Sequence, residues 1–257
     1  MIIPKKKSLG QHFLHDQNII KKIIRVIFPK LSDNLIEIGP GEGALTTKLL
    51  PLVTSLNVIE IDKRITPILE KNCNFASNLH IYINDVLRFD FTQFKQQLRL
   101  IGNLPYNIST PLLFYLIKNI SVIEDMHFML QKEIAKRIIA TPGSKVYGRL
   151  SVILQYYCNI TLLFKIGNGA FSPPPKVDSV FVKFEPRKHH DKVVLDENKF
   201  SEIVRLAFNQ RRKTIANNLK QHLTISQLEK IVIKPGLRPE QLSINDFITI
   251  SNYLSQQ

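Results

Sequence analysis

The arrangement of its apolar runs constrains the fold of this chain more than any other feature. Short runs rich in β-branched residues recur, with segments between them that are long enough for helices. Such runs are typical of strands buried on both faces, and parallel strands need a crossover of about a dozen residues or more, usually a helix. The pattern predicts an α/β fold with an open, doubly wound, Rossmann-like sheet that binds its ligand at the carboxyl ends of the strands. The predicted strands cover residues 35–38, 58–61, 79–83, 98–101, 126–130 and 179–184.

Helical patterns appear before, within and after this series. Asp16 is the predicted N-cap of a helix with an isoleucine face, and Thr110 is the predicted N-cap of another, with Pro111 at its first position. A polar, charged segment occupies residues 186–192, and helical spacing resumes near Lys199. The sequence therefore predicts a domain over residues 1–186 and a small α-helical domain over 187–257.

The charge balance points to a polyanionic partner. The chain has 35 Lys and Arg against 21 Asp and Glu, a net charge of +14, which favours binding of a nucleic acid through phosphate neutralisation. No signal-peptide core and no apolar run of about 20 residues is present, so no membrane partner is expected. Two cysteines are too few for a disulfide framework, which favours a cytoplasmic protein. His189 and His190 have no accompanying Cys or acid cluster, so no metal is expected.

A glycine-rich turn follows the first predicted strand. Gly39, Gly41 and Gly43 lie at a strand-to-helix turn, and Glu60 ends the second strand, 19 residues after Gly41. A turn of this kind alone is often only a tight connection, but an acid at that spacing can accept hydrogen bonds from both ribose hydroxyls of a nucleoside. The turn and the acid together predict a nucleoside site.

The glycine spacing distinguishes between nucleosides. A dinucleotide site has G-x-G-x-x-G, whereas this loop has G-x-G-x-G. Glu37 and Glu42 beside the loop would repel a pyrophosphate but tolerate a ligand that carries a sulfonium and an ammonium. The loop therefore favours S-adenosylmethionine over NAD.

The segment Asn103-Leu104-Pro105-Tyr106 ends the fourth predicted strand. The N6 amine of adenine is a weak nucleophile, because its lone pair is delocalised into the ring. Two acceptors, the Asn103 side-chain carbonyl and the Leu104 carbonyl, would free that lone pair to attack a methyl group, and Pro105 holds Leu104 extended. Tyr106 offers a ring face to a flipped base. The alternative is an Asn-Pro turn with a packed tyrosine; beside the glycine loop, we favour adenine methylation.

These motifs closely resemble the KsgA/RsmA family of ribosomal RNA adenine dimethyltransferases. The resemblance covers essentially the whole chain, and the motifs occur in one order. They lie at residues 10–14, 37–43, 103–111, 126–133, 147–152, 171–179 and 208–214.

The resemblance implies a class I methyltransferase domain and dimethylation of N6 on two adjacent adenosines near the 3′ end of 16S small-subunit ribosomal RNA. Its partner would be that RNA or the 30S particle, during ribosome biogenesis. The target base would lie between Tyr106 and Phe171. The implied cofactor contacts are Gln11, His12, Leu14, Gly39, Gly41, Glu60, Ile61, Asp85 and Asn103.

Several alternatives remain at this point. Arg211, Arg212 and Lys213 are interpreted as phosphate contacts, although such a run is often only a solvated helix face. The resemblance extends to the Erm enzymes, which dimethylate large-subunit ribosomal RNA, but segments 147–152 and 208–214 look like KsgA. A further alternative function is that of a ribosome-assembly factor, which would act mainly by binding.

Overall fold

The computed structural model of this protein describes residues 12–257. Its strands are β1 (Phe13–Leu14), β2 (Asn34–Ile38), β3 (Leu56–Glu60), β4 (Leu79–Ile83), β5 (Leu98–Asn103), β6 (Ile123–Gln131), β7 (Cys158–Ile166), β8 (Phe171–Ser172) and β9 (Ser179–Pro186). Its α-helices are α1 (Gln17–Ile27), α2 (Thr46–Leu49), α3 (Thr66–Asn72), α4 (Ser109–Lys118), α5 (Lys132–Ile138), α6 (Arg149–Tyr157), α7 (Glu197–Ala207), α8 (Ile215–Leu219), α9 (Ile225–Lys230) and α10 (Ile244–Ser255).

Seven strands form one mixed sheet in the order β4-β3-β2-β5-β6-β9-β7. The five strands from β4 to β6 are parallel, and β9 runs antiparallel to β6. The predicted α/β fold is confirmed, and all six predicted runs are strands. The chain moves outward from β2 through β3 to β4 and then returns to β5, so the strand order reverses between β2 and β5. A crevice at the carboxyl ends of the strands is expected at this switch point.

The helix starts show how local side chains set the elements. Asp16 caps α1, because its carboxylate accepts the N–H groups of Asn18 and Ile19 at 2.8 and 3.1 Å. The predicted N-cap at Thr110 is wrong: α4 already begins at Ser109, whose hydroxyl donates to the Pro105 carbonyl at 2.9 Å. This bond ties the start of α4 to the segment that follows β5.

The chain forms two compact units. One reaches to Ala135 and includes Asn159–Pro186, and the other contains Lys136–Cys158 and Arg187–Gln257. The predicted domain boundary after residue 186 stays a prediction. Within the second unit, α7 buries Phe200, Ile203 and neighbours on one face, as its spacing predicts.

The first unit has a core in which α1 packs with the sheet and the glycine-loop helix α2. Ile20, Ile23 and Ile27 supply the buried face of α1, with hydrophobic side chains of β2 and β3 in the same cluster. No helix among residues 12–257 is both long and apolar enough to cross a membrane.

Candidate active site

A cavity of about 660 Å³ opens at the carboxyl ends of β2 to β5, where the strand order predicts one. Its size lies within the range of about 300–1,000 Å³ that is typical of small-molecule sites. All its lining residues belong to the first unit. The sequence-predicted site residues that line it are His12, Leu14, Gly39, Gly41, Glu60, Ile61, Asp85, Asn103, Leu104 and Tyr106. Gln11 lies outside the described residues.

The glycine loop follows β2 with left-handed backbone angles. Gly39 has φ +67°, and a Cβ there would meet no other atom within 4 Å, so the loop leaves open space at this point of the cavity. Gly41 has φ +55°, and a Cβ there would lie 2.8 Å from the ring of Phe13. Glycine is therefore required at Gly41 both by the backbone angle and by the close approach of β1.

Two buried carboxylates give the cavity an acidic floor. Glu37, at 2% exposure, accepts the hydroxyl hydrogen of Thr46 at 2.7 Å. Burial raises the pKa of Glu37 to about 7, the Thr46 bond lowers it, and nearby Glu60 raises it. Burial also raises the pKa of Glu60, although backbone N–H groups, including that of Asp62 at 2.8 Å, oppose the rise. The site therefore favours a ligand with positive charge.

The Glu37 carboxyl gives a test by pH. Its folded pKa, about 7, exceeds the ordinary value of 4.5, so the folded state holds this proton more tightly and loses relative stability as the pH rises from 4.5 through 7. We expect Glu37→Gln to be increasingly more stable than the parent over that interval, by at most about 3 kcal/mol at 1.36 kcal/mol per pKa unit. Urea unfolding of the cofactor-free protein at pH 5 and 8 measures this. Glu42→Gln, at an exposed acid of the same loop, is the control; a Glu37→Gln advantage that is constant with pH would contradict the assignment.

Asp85 and Ile61 lie at the edge of the cavity that β3 and β4 form. Asp85 Oδ1 accepts the N–H of Leu87 at 3.0 Å, and no partner of Oδ2 is found among residues 12–257. Ile61 lines the cavity and is 53% exposed, which leaves apolar surface available to a ligand. A planar, partly apolar group with an amine at its edge would fit against these two side chains.

Asn103 ends β5, and its amide has a fixed orientation. Its Nδ2 donates to the main-chain carbonyl of His12 at 2.7 Å. Because a carbonyl only accepts, this bond places the amide nitrogen toward His12 and leaves Oδ1 as the free acceptor within the described part of the chain. The sequence predicts an acceptor at Asn103 but gives no signal for the backbone group that orients it.

Tyr106 is held on two sides. Its hydroxyl shares a 2.8 Å hydrogen bond with the Ser179 hydroxyl, and its ring centroid lies 5.4 Å from that of His12 at an interplanar angle of 32°. Burial raises the pKa of Tyr106, so the phenol stays protonated. Ser179 was not singled out from the sequence, although it ends the motif at residues 171–179.

Phe171 does not line the cavity. It is 2% exposed and belongs to the core cluster with Leu14, Ile20 and Phe181. β8 brings it there by pairing with β1, so that Leu14 faces Phe171 across the ladder. The described geometry therefore brings His12, and not Phe171, against Tyr106; the base clamp at Phe171 stays a prediction without support from this arrangement.

The basic run lies in the second unit, and its members differ. Arg211 donates to the main-chain carbonyls of Lys145 and Tyr147 at 2.7 and 3.1 Å and lies 3.8 Å from Glu240. All three side chains are exposed, that of Arg211 at 48%. Arg211 thus differs from its neighbours by its hydrogen bonds to the chain, and a phosphate contact of residues 211–213 stays a prediction.

Comparisons with known proteins agree on one kind of protein. The family model of ribosomal RNA adenine dimethylase matches residues 3–256. A protein of Coxiella burnetii named Ribosomal RNA small subunit methyltransferase A is 48% identical over 255 residues, which cover 98% of this chain and 99% of the relative. A protein of the same name from Pseudomonas aeruginosa is 46% identical, covering 98% and 95%.

Solved structures show the same fold. A dimethyladenosine transferase from Plasmodium falciparum superposes with a TM-score of 0.79 at 31% identity, covering 93% of this chain and 96% of that one. The 23S rRNA methyltransferase ErmE superposes with a TM-score of 0.71 at 22% identity, covering 95% and 100%. The second similarity concerns the fold alone.

Proposed function

We infer from its membership of the ribosomal RNA adenine dimethylase family that this chain is an S-adenosylmethionine-dependent methyltransferase that dimethylates N6 of adenines in small-subunit ribosomal RNA. Its fold is the predicted Rossmann-like class I methyltransferase fold with a C-terminal helical part. The structural observation that supports this inference is the orientation of the Asn103 amide. A backbone carbonyl orients it within the cavity that Glu60 also lines. We propose two adjacent adenosines near the 3′ end as the targets, the 30S particle as the partner, and the cytoplasm as the location.

The residues of the cavity fit S-adenosylmethionine. The open space at Gly39 and the acidic floor of Glu37 and Glu60 suit a ligand with a sulfonium and an ammonium. We propose that Glu60 binds the ribose hydroxyls, that Asp85 accepts the adenine amine through Oδ2, and that Ile61 packs on the adenine ring. His12, Leu14 and Gly41 complete the proposed cofactor contacts, and Gln11 remains a contact implied by resemblance. When bound, the cofactor supplies an electrophilic methyl group.

Asn103 and Leu104 prepare the adenine for this transfer. We propose that Asn103 Oδ1 and the Leu104 carbonyl accept the two N–H bonds of the target amine, which draws the nitrogen toward tetrahedral geometry. Tyr106 presents a ring face to the flipped base. The methylated ammonium is acidic enough to release its proton to solvent without a strong general base. Catalysis is then mainly positioning, which contributes up to about 7–11 kcal/mol in well-oriented reactions.

The function is tested by transfer of a labelled methyl group. The protein is incubated with methyl-labelled S-adenosylmethionine and unmethylated small subunits, naked small-subunit RNA, or large subunits. We expect label on two adjacent adenosines near the 3′ end of the small-subunit RNA, as dimethyladenosine. Label on the large subunit would indicate the Erm-like reaction, and binding without label would indicate an assembly factor; either result would contradict the proposal.

Glu60→Gln should weaken S-adenosylmethionine binding more than RNA binding. Gln keeps an oxygen for the N–H of Asp62 but loses the negative charge, and a hydrogen bond to a charged group contributes about 1.5–3 kcal/mol. Calorimetry of cofactor binding measures this, with Glu124→Gln as the control, since Glu124 is an exposed acid near the start of β6 and outside the cavity lining. An unchanged cofactor affinity would remove Glu60 from the ribose site.

We propose that Arg212 and Lys213 bind RNA phosphates, while Arg211 supports the loop that presents them. Replacing Arg212 or Lys213 by Ala should reduce the salt dependence of binding to small subunits by roughly 0.7–0.9 units of the log–log slope each. Arg211→Ala is the matched comparison: it should lower the thermal stability and leave the slope nearly unchanged, because its donors bind Lys145 and Tyr147. If all variants showed the same salt dependence as the parent protein, residues 211–213 would be a solvated surface that does not bind RNA phosphates.

A further inference from the structure

His12 contacts both side chains that the proposed reaction uses, although it lies about ninety residues before them in the sequence. Its main-chain carbonyl accepts the Asn103 amide at 2.7 Å, and its imidazole ring lies 5.4 Å from the Tyr106 ring. One residue therefore touches the acceptor of the target amine and the ring that faces the base.

The imidazole is itself anchored. His12 Nδ1 lies 2.7 Å from the main-chain oxygen of Pro173. That oxygen can only accept, so Nδ1 carries a hydrogen in both the neutral and the charged form of the ring. The Pro173 carbonyl thus fixes the plane of the imidazole, and β1 and β8, which pair antiparallel beside it, bring the two residues together.

The Tyr106 ring is located between two fixed groups. Ser179 binds its hydroxyl at 2.8 Å, and His12 packs against its ring. A centroid distance of 5.4 Å lies in the contact range of aromatic pairs, about 4.5–7 Å, so no base can enter between these rings. The His12 ring therefore covers one part of the Tyr106 ring, and a base must stack on another part of it.

We propose that His12 is a positioning residue of the methyl transfer: its carbonyl sets the orientation of the Asn103 amide, and its imidazole, held by Pro173, sets the position of the Tyr106 ring. The inference rests on the proposed function. It gives His12 a role in the chemical step that is additional to the cofactor contact implied by resemblance, and it assigns the ring contact to a position outside the Asn-Leu-Pro-Tyr segment.

Three variants separate the side-chain contacts while leaving the His12 carbonyl in place. His12→Phe keeps a ring against Tyr106 but loses the donor to Pro173, His12→Asn keeps a donor but no ring, and His12→Ala loses both. The measurement is single-turnover methyl transfer to unmethylated small subunits at saturating cofactor and RNA. We expect His12→Ala to be slower by about tenfold to a hundredfold, as a misplacement of about 1 Å can cause. His12→Phe should recover most of the rate, and His12→Asn less.

The affinity for S-adenosylmethionine separates positioning from cofactor binding. Because His12 is also a proposed cofactor contact, we expect His12→Ala to lower this affinity, but by a smaller factor than it lowers the rate at saturating cofactor. A lower affinity with an unchanged saturated rate would overturn the proposal, since His12 would then be a cofactor contact only. A His12→Phe rate no higher than that of His12→Ala would also overturn it. Thermal unfolding verifies each fold, and the Phe and Asn variants carry the comparison if the Ala variant is unfolded.

A double substitution tests whether His12 acts through Tyr106. The rate of methyl transfer is measured for Tyr106→Ala and for the double variant Tyr106→Ala/His12→Ala. We expect the added His12→Ala change to lower this rate by about twofold or less, because the effects of residues that act through one another are not additive. The same loss in both backgrounds would overturn the proposal. Failure of the parent protein to methylate would instead contradict the proposed function, so the two failures are distinguishable.

Discussion

Replacing Arg99 by methionine is expected to lower the free energy of unfolding by about 3–5 kcal/mol, the usual effect of removing one partner from a buried ion pair. Arg99 lies on β5 and is 8% exposed. Its Nε and Nη2 donate to the two carboxylate oxygens of Asp125, on neighbouring β6, at 3.1 and 2.9 Å. Methionine fills part of the volume but leaves this carboxylate buried without its cation.

The same guanidinium joins other parts of the first unit. Nη1 donates to Asp33 at 2.5 Å, just before β2, and Nη2 also donates to the carbonyl of Ile27 at 2.9 Å, the last residue of α1. These partners and the hydrogen bonds to them raise the pKa of Arg99 against the opposing effect of burial, so the guanidinium remains charged. Arg99 thus connects α1, β2, β5 and β6 at the end of the sheet opposite the cavity.

Urea unfolding at pH 7 measures the loss. The control is Lys183→Met, since the Lys183–Glu185 pair is at 2.7 Å but is partly exposed, at 28% and 47%. Exposed pairs contribute at most about 1 kcal/mol. If Arg99→Met lowered the free energy of unfolding no more than Lys183→Met does, the ion pairs of Arg99 would contribute nothing to stability. The arrangement of α1, β2, β5 and β6 would then depend on apolar packing alone.

The parallel part of the fold could be predicted because its signals are local. Each buried parallel strand is a short, predominantly apolar segment with only a few polar residues such as Glu37 in β2, and Asp16 is a helix cap that can be recognised from its neighbours. The strand β7 was not predicted. It follows α6 without a turn and begins at Cys158, so no loop signal separates its apolar residues from those of the helix before it.

The cavity residues at strand ends could also be predicted, because a strand end fixes where a side chain lies. The contacts of His12, Phe171 and Arg211 could not be predicted from the sequence. They depend on the pairing of β1 with β8 and on main-chain carbonyls at Pro173, Lys145 and Tyr147, which the side-chain sequence does not specify. Charge alone did not separate Arg211 from its neighbours.

Asn103→Ala should leave a folded protein in which methyl transfer is slower by about 10²–10³-fold, the effect of removing one preorganised polar group from a developing charge. The loss should fall on the chemical step, because the acceptor matters most as the target nitrogen becomes tetrahedral. RNA affinity should be nearly unchanged, since phosphate contacts provide most of it. Cofactor affinity should fall less than the rate, although Asn103 lines the same cavity as Glu60.

The fixed amide makes this expectation specific to Asn103. With Nδ2 bound to the His12 carbonyl at 2.7 Å, Oδ1 already has the orientation of an acceptor before any ligand binds, so little is lost in ordering it. The measurement is single-turnover transfer at saturating cofactor and RNA. Asn34→Ala is the control, because Asn34 begins β2 at the opposite end of the parallel strands, and within residues 12–257 its side chain makes only a weak 3.5 Å hydrogen bond to the Gln96 carbonyl. A near-normal rate for Asn103→Ala would mean that the segment after β5 is a structural turn, and the target amine would then have to be held by groups other than Asn103.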